Sequence, residues 1–181
     1  MSNPIALSSK VGQACDIVAE PLQTTGAVDF RFIELMFFAY RQFTTDADTI
    51  LASYGFGRAH HRVLHFVNRS PGITIADLLD LLKITKQSLS RVLRQLIDDG
   101  FVAQLPGSTD RRQRRLYPTQ KGRDLTLELS RQQAARIDAA IGKIGTEGAS
   151  AVASFLVSMG GGEDPAKAWL ETNVLNEGPV T

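Results

Sequence analysis

The 181-residue chain is 43% hydrophobic and 22% charged, which fits one globular domain able to bury a core. Its most apolar stretch, Phe32 to Tyr40, is too short to span a bilayer, no basic-then-apolar leader opens the chain, and the single cysteine, Cys15, suits a reducing cytosol and cannot form an internal disulfide. The net charge of +1 conceals an asymmetry: residues 83–123 hold ten Lys/Arg against three acids, a net of +7, on a remainder that is −6.

Residues 1–27 show no sustained period and read as a mobile arm, with a short helix near Val11 to Glu20. From Val28 to about Thr45, five phenylalanines (Phe30, Phe32, Phe37, Phe38, Phe43) join Ile33, Leu35, Met36 and Tyr40 around most of a helix circumference. A helix apolar on two sides is expected to pack against a second chain. Gly55 and Gly57 mark a loop, and Arg58 to Asn68 reads as a second helix, with Val63, Leu64 and Val67 on one face. After Ser70-Pro71-Gly72, Thr74 is an N-cap with Asp77 in the first turn, and the helix runs to Leu82. Thr85 caps the next helix, whose Leu89, Val92, Leu93, Leu96 and Ile97 form a single stripe, and Gly100 stops it. Two helices joined by a tight turn, the second basic on its free face, form a helix-turn-helix.

Phe101 to Leu105 and Arg112 to Tyr117 read as two strands around Pro106-Gly107-Ser108, a basic hairpin placed as a wing directly after the recognition helix. Thr119 caps a helix to about Ile144, and another covers about Glu147 to Met159 before Gly160-Gly161-Gly162. The tail, 163–181, contains Trp169 and room for a further helical turn or two. The expected fold is mainly α with a small β-hairpin wing: a winged helix-turn-helix over about 58–118, and a helical dimerisation region made by helices over about 28–48 and 119–160.

Asp110-Arg111-Arg112, the run Tyr117-Pro118-Thr119-Gln120-Lys121-Gly122-Arg123, and Thr85-Lys86-Gln87-Ser88-Leu89-Ser90-Arg91-Val92-Leu93 together resemble the wing tip, following helix and recognition helix of the multiple-antibiotic-resistance regulator (MarR) family. The resemblance covers about residues 28–160 and includes the order of elements. It implies a cytoplasmic homodimer on a pseudo-palindromic operator, its first and last helices intertwined, acting as a repressor released by a small aromatic or phenolic acid. Pro118 departs from the apolar residue usual in the family, and the N-terminal arm and C-terminal tail exceed its minimum length.

For double-stranded DNA, the candidate residues on the recognition helix are Thr85, Lys86, Gln87, Ser88, Ser90, Arg91 and Arg94, because polar groups early in such a helix face the major groove. In the wing they are Asp110, Arg111, Arg112 and Arg114. The resemblance makes Arg112 the arginine that enters the minor groove, braced by Asp110. A narrow minor groove concentrates negative potential, which favours a guanidinium. For an effector the candidates are Phe37, Tyr40, His61 and His65. His61 and His65 are also spaced for zinc, but with His60 they are the chain's only histidines and a third ligand is lacking, so no metal or other cofactor is expected. Cys15 has no basic neighbour to lower its pKa and reads as a spectator thiol. No nucleophile elbow, phosphate loop, dinucleotide fingerprint or zinc-protease motif is present, so the chain is not read as an enzyme. The alternative is a winged module for protein contacts without specific DNA binding, and the +7 segment weighs against it, since protein interfaces are depleted of charge at their centres.

Overall fold

The computed structural model describes residues 21, 26, 28–107, 113–160 and 165–174. The chain divides into two compact units, one ending at Phe37 and one beginning at Phe38. Helix α1, Phe30–Ser53, contributes to both. In the first unit, Asp29 caps α1: its carboxylate accepts from the Arg31 backbone N–H at 3.0 Å and pairs with the Arg31 guanidinium, which holds its pKa below the usual carboxylate range. Phe32, Ile33, Leu35, Met36 and Phe37 then lie exposed along the helix.

The second unit carries the rest of α1, then α2 (Arg58–Arg69), β1 (Ile73–Thr74), α3 (Ile75–Leu82), α4 (Lys86–Asp98), β2 (Val102–Pro106), β3 (Arg114–Pro118), α5 (Gln120–Gly160) and α6 (Pro165–Asn173). Its core takes one stripe from each of α1 to α5: Ala47 and Leu51; Val63, Leu64 and Val67; Leu78 and Leu82; Leu89, Val92, Leu93 and Leu96; Leu125 and Leu129. Val102 and Leu116 close it from the sheet, and Phe101 from the residue before β2. Each fully buried Leu or Val contributes about 1.5–3 kcal/mol of hydrophobic stabilisation. Buried Thr126 is fully paired, donating to the Gly122 carbonyl and accepting from Asn68 Nδ2, both at 2.8 Å.

Local signals set the helix ends. Thr74 and Asp77 form a reciprocal capping box on α3, and Thr85 Oγ1 accepts the Ser88 N–H to start α4. Between them Lys83 takes the left-handed conformation (φ 50°), giving the turn of the helix-turn-helix. The antiparallel sheet has the order β1-β3-β2. β3 pairs Arg114 with Pro106 through Pro118 with Val102 on one side, and Leu116 with Ile73 on the other. The expected two-stranded wing therefore has a third strand at its base. Helix α5 is interrupted at Gly145 (φ 69°, ψ −178°), where the sequence separates two helices.

Candidate nucleic-acid interface and effector cavity

The core stripe of α4 leaves its other side free. Lys86, Gln87, Ser88, Ser90, Arg91 and Arg94 are all exposed and line one groove. Thr85 and Ser88 are partly committed, since Thr85 Oγ1 donates to Ser88 Oγ at 3.1 Å while capping the helix. The result is a convex helix that presents two arginines, a lysine and an amide, donors suited to phosphates and to base edges.

In the wing, Arg114 is exposed at the start of β3, opposite Pro106. Asp110, Arg111 and Arg112 lie outside the described residues. Two other cations of the +7 segment are engaged by partners within the protein. Arg115 donates to the Gly72 carbonyl at 3.1 Å and to Gln113 Oε1 at 3.3 Å, tying β3 to the turn before β1. Lys121 donates to the Asp99 carbonyl at 2.9 Å and sits 4.2 Å above the Phe101 ring. Charge counting could not separate these structural cations from the free ones.

A cavity of about 420 Å³ opens between α1, α2 and α5. Tyr40, Phe43, Thr44 and Asp48 line it from α1; Arg58, His61, Arg62, His65 and Phe66 from α2; Gln133 from α5. The α2 set falls at i, i+3, i+4, i+7 and i+8, one continuous face opposite that helix's core stripe. Phe37, 69% exposed, belongs to the first unit. Asp48 takes a forked pair from Arg58 (2.7 Å and 3.0 Å), which raises the guanidinium pKa, and Arg58 lies 5.6 Å over the Tyr40 ring. Arg62 donates to the Leu82 carbonyl at 2.8 Å, and Gln133 to the Phe43 carbonyl at 3.4 Å.

Burial pushes the His61 imidazole below its ordinary pKa, with Asp48 opposing in part. His65 is pushed down by burial, then by His61 and Arg69. The cavity thus has aromatic walls, two imidazoles whose burial disfavours the charged form, and the Arg58–Asp48 ion pair. His60 faces elsewhere. Its Nδ1 accepts the Gly57 N–H at 3.1 Å, which leaves Nε2 to donate to Gln95 Oε1 on α4 at 2.9 Å, and the ring stacks on Phe56. Sequence reasoning missed Phe43, Thr44, Asp48, Arg58, Arg62, Phe66 and Gln133. Extending helical spacing from His61 and His65 along α2 finds Arg58 and Arg62, while Asp48 and Gln133 carry no local signal. Among the described residues, no three His, Cys, Asp or Glu side chains are grouped to hold a metal, and no helix is long and apolar enough to cross a membrane.

A family model described as MarR family matches residues 54–113. The chain is 51% identical over 134 residues to the HTH-type transcriptional regulator PetP of Rhodobacter capsulatus, spanning 74% of this chain and 79% of that protein. Among solved structures it is similar to a MarR protein from Peptoclostridium difficile (TM-score 0.64, 18% identity, covering 78% of this chain and 92% of that one). It is also similar to NadR in complex with 4-hydroxyphenylacetate (TM-score 0.61, 22% identity, covering 77% and 97%). These structural likenesses extend the mostly helical winged-helix fold over most of the chain, and the close relative fixes the family. The chain belongs to the MarR family and is a transcription regulator, not an enzyme.

Proposed function

We propose that this chain acts in the cytoplasm as a homodimeric, sequence-specific DNA-binding repressor, with α4 in the major groove of each half of a pseudo-palindromic operator and the wing against the adjacent minor groove. The observation that carries the reading is the free face of α4, where Lys86, Gln87, Ser88, Ser90, Arg91 and Arg94 are exposed together on a capped helix. The winged helix-turn-helix is assigned to about 58–118 and dimerisation to helices over about 28–48 and 119–160. The exposed Phe32, Leu35, Phe37 and Phe38 of α1, with Phe155, Leu156 and Met159 of α5, support a second copy as their cover, because a monomer rarely leaves so much apolar surface in water.

Lys86, Arg91, Arg94 and Arg114 offer four exposed cations per protomer. If each neutralises one phosphate, a dimer's log–log salt slope is about −7. The test is binding to promoter fragments that carry an inverted repeat, its half-sites about 34–36 Å apart, titrated across salt concentrations. A slope near zero would instead support a module for protein contacts. The effector is proposed to be a small aromatic or phenolic acid in the α1–α2–α5 cavity. The rings of Tyr40, Phe43 and Phe66, set beside the Arg58, Arg62, His61 and His65 side chains, support this reading, as does the ligand of NadR.

A further inference from the structure

We propose that α6 is a strap on the cavity: Trp169 backs the cavity-lining ring of Phe66, so that occupancy of the cavity and docking of α6 are linked. Two anchors hold α6 on the C-terminal end of α2. The Trp169 indole N–H donates to Ser70 Oγ at 3.0 Å, and the Arg69 guanidinium donates to the Asn173 carbonyl at 2.8 Å. Asn173 Nδ2 in turn donates to the Trp169 carbonyl at 2.9 Å, joining the anchors. The indole meets Phe66 edge-on, with centroids 5.0 Å apart and rings at 82°, and Phe66 meets His65 edge-on at 5.1 Å. His65 and Phe66 both line the cavity, so three rings run from its wall to α6.

Phe66 is therefore held from behind. A molecule pressing on it from the cavity meets Trp169, and undocking α6 frees the ring to swing away. Because α6 also borders a groove with Asp77, Asp80 and Leu81 of α3, its docking bears on the helix-turn-helix as well. Linkage is reciprocal: whatever stabilises the wall stabilises the strap.

The ligand arm of the test rests on the effector reading above; the other arm does not. Trp169 is the chain's one tryptophan, so its emission reports on α6 in the full-length protein. The cavity is filled in two ways, by 4-hydroxyphenylacetate as the probe and by Thr44→Phe, which occupies it from within. Either is expected to shift Trp169 emission and slow amide exchange of α6 about threefold or more, and Phe43→Ala, which enlarges the cavity, to move both signals the other way. Trp169→Ala is expected to weaken probe affinity about two- to tenfold, the range of an edge-to-face ring pair, and Trp169→Phe to restore most of it. Unchanged α6 exchange and emission in folded Thr44→Phe and Phe43→Ala proteins would overturn the linkage. Failure of the probe to bind in calorimetry would count against the effector reading alone, leaving the two cavity variants to decide.

Discussion

Gly122→Ala should be among the most damaging single-methyl changes in this protein. Helix α5 is joined to the winged core at its first turn. Thr119 donates its N–H to the Phe101 carbonyl at 3.2 Å and its hydroxyl to the Gly100 carbonyl at 2.7 Å, while accepting the Gly122 N–H at 3.1 Å. Gly122 is buried directly against the Phe101 backbone. A Cβ there would overlap the Phe101 carbonyl oxygen and stand 3.0 Å from its carbon and 3.4 Å from its Cα. Phe101 is 2% exposed and packed edge-on by Phe56 and Tyr54, so it cannot yield, and α5 must lift. Overpacking of this kind costs about 1–3 kcal/mol. Stretching the Thr119 bonds adds about 1 kcal/mol for each one lost. A total of ~3 kcal/mol lowers the melting temperature by about 6–12 °C for a chain of this size. Thermal unfolding followed by circular dichroism, at one fixed protomer concentration, measures it. Gly142→Ala, with open space around the new methyl, is the control and should stabilise by about 0.5–1 kcal/mol. A Gly122→Ala protein melting within about 2 °C of its parent would refute the reasoning from steric overlap.

Three further outcomes are expected. Arg112→Ala should weaken binding to all DNA sequences about equally and flatten the dimer's salt slope by about 2, one phosphate per protomer, and operator affinity equal to wild type would remove Arg112 from the wing contact. Gln87→Ala should cost roughly 1–3 kcal/mol, concentrated at one base of each half-site, as read by binding to single-base operator variants; an even loss across bases would make Gln87 a phosphate contact. His61 and His65 are held below the ordinary histidine value of 6.5, so the unfolded chain binds more protons than the folded one between the two values. Stability should therefore be full above that value and fall as pH drops through it, and His61→Asn with His65→Gln should flatten this part of the melting-temperature profile.

The helix-turn-helix was legible because its signals are local. The Thr74–Asp77 box, the Thr85 cap, the leucine stripe and Gly100 (φ 76°) each act within a few residues, and each appears where the spacing places it. Helix α1 runs on to Ser53, past the Thr44-Thr45 pair that looks like its end. Both hydroxyls donate back to carbonyls of Tyr40 and Arg41 and stay within the helix, and burial of Ala47 and Leu51 extends it. Strand β1 was missed because two residues carry no alternation, and it exists by pairing with β3. Phe101 looks like the first strand residue but is a core side chain just before β2, its N–H donating to the Leu96 carbonyl at 2.8 Å. Of the candidate effector residues, Tyr40, His61 and His65 line one cavity, and Phe37 belongs to the first unit. The histidine cluster itself conceals two jobs, because His60 and His61, adjacent on α2, point in different directions: one holds α4 through Gln95, the other faces the cavity. The wing tip and Cys15 lie outside the described residues.

That adjacency makes a demand on how an effector could release DNA. Helix α2 gives one face to the cavity and the other to the core, and it is tied to α3 by Arg62 on the Leu82 carbonyl and to α4 by His60 on Gln95. A ligand seated between α1, α2 and α5 that displaces α2 must carry the helix-turn-helix with it, because α3 and α4 are bonded to the moving part. The two recognition helices of a dimer would then no longer match one turn of DNA. A ligand shifts this balance only by its difference in affinity between the two spacings, so operator DNA must lower ligand affinity by the factor by which the ligand lowers operator affinity. Allosteric couplings are typically about 5–150-fold, within reach of calorimetry. Aromatic acids titrated into the protein alone and into its operator complex should therefore give affinities differing by that factor. Equal affinities would mean that the bound acid fills the cavity without acting as an inducer. His60→Gln offers a sharper cut, since glutamine can still cap α2 at the Gly57 N–H but does not supply the imidazole held by Gln95. If α4 follows α2 through that bond, the variant should keep its ligand affinity and lose coupling, and coupling unchanged in His60→Gln would place the connection in the packed core instead.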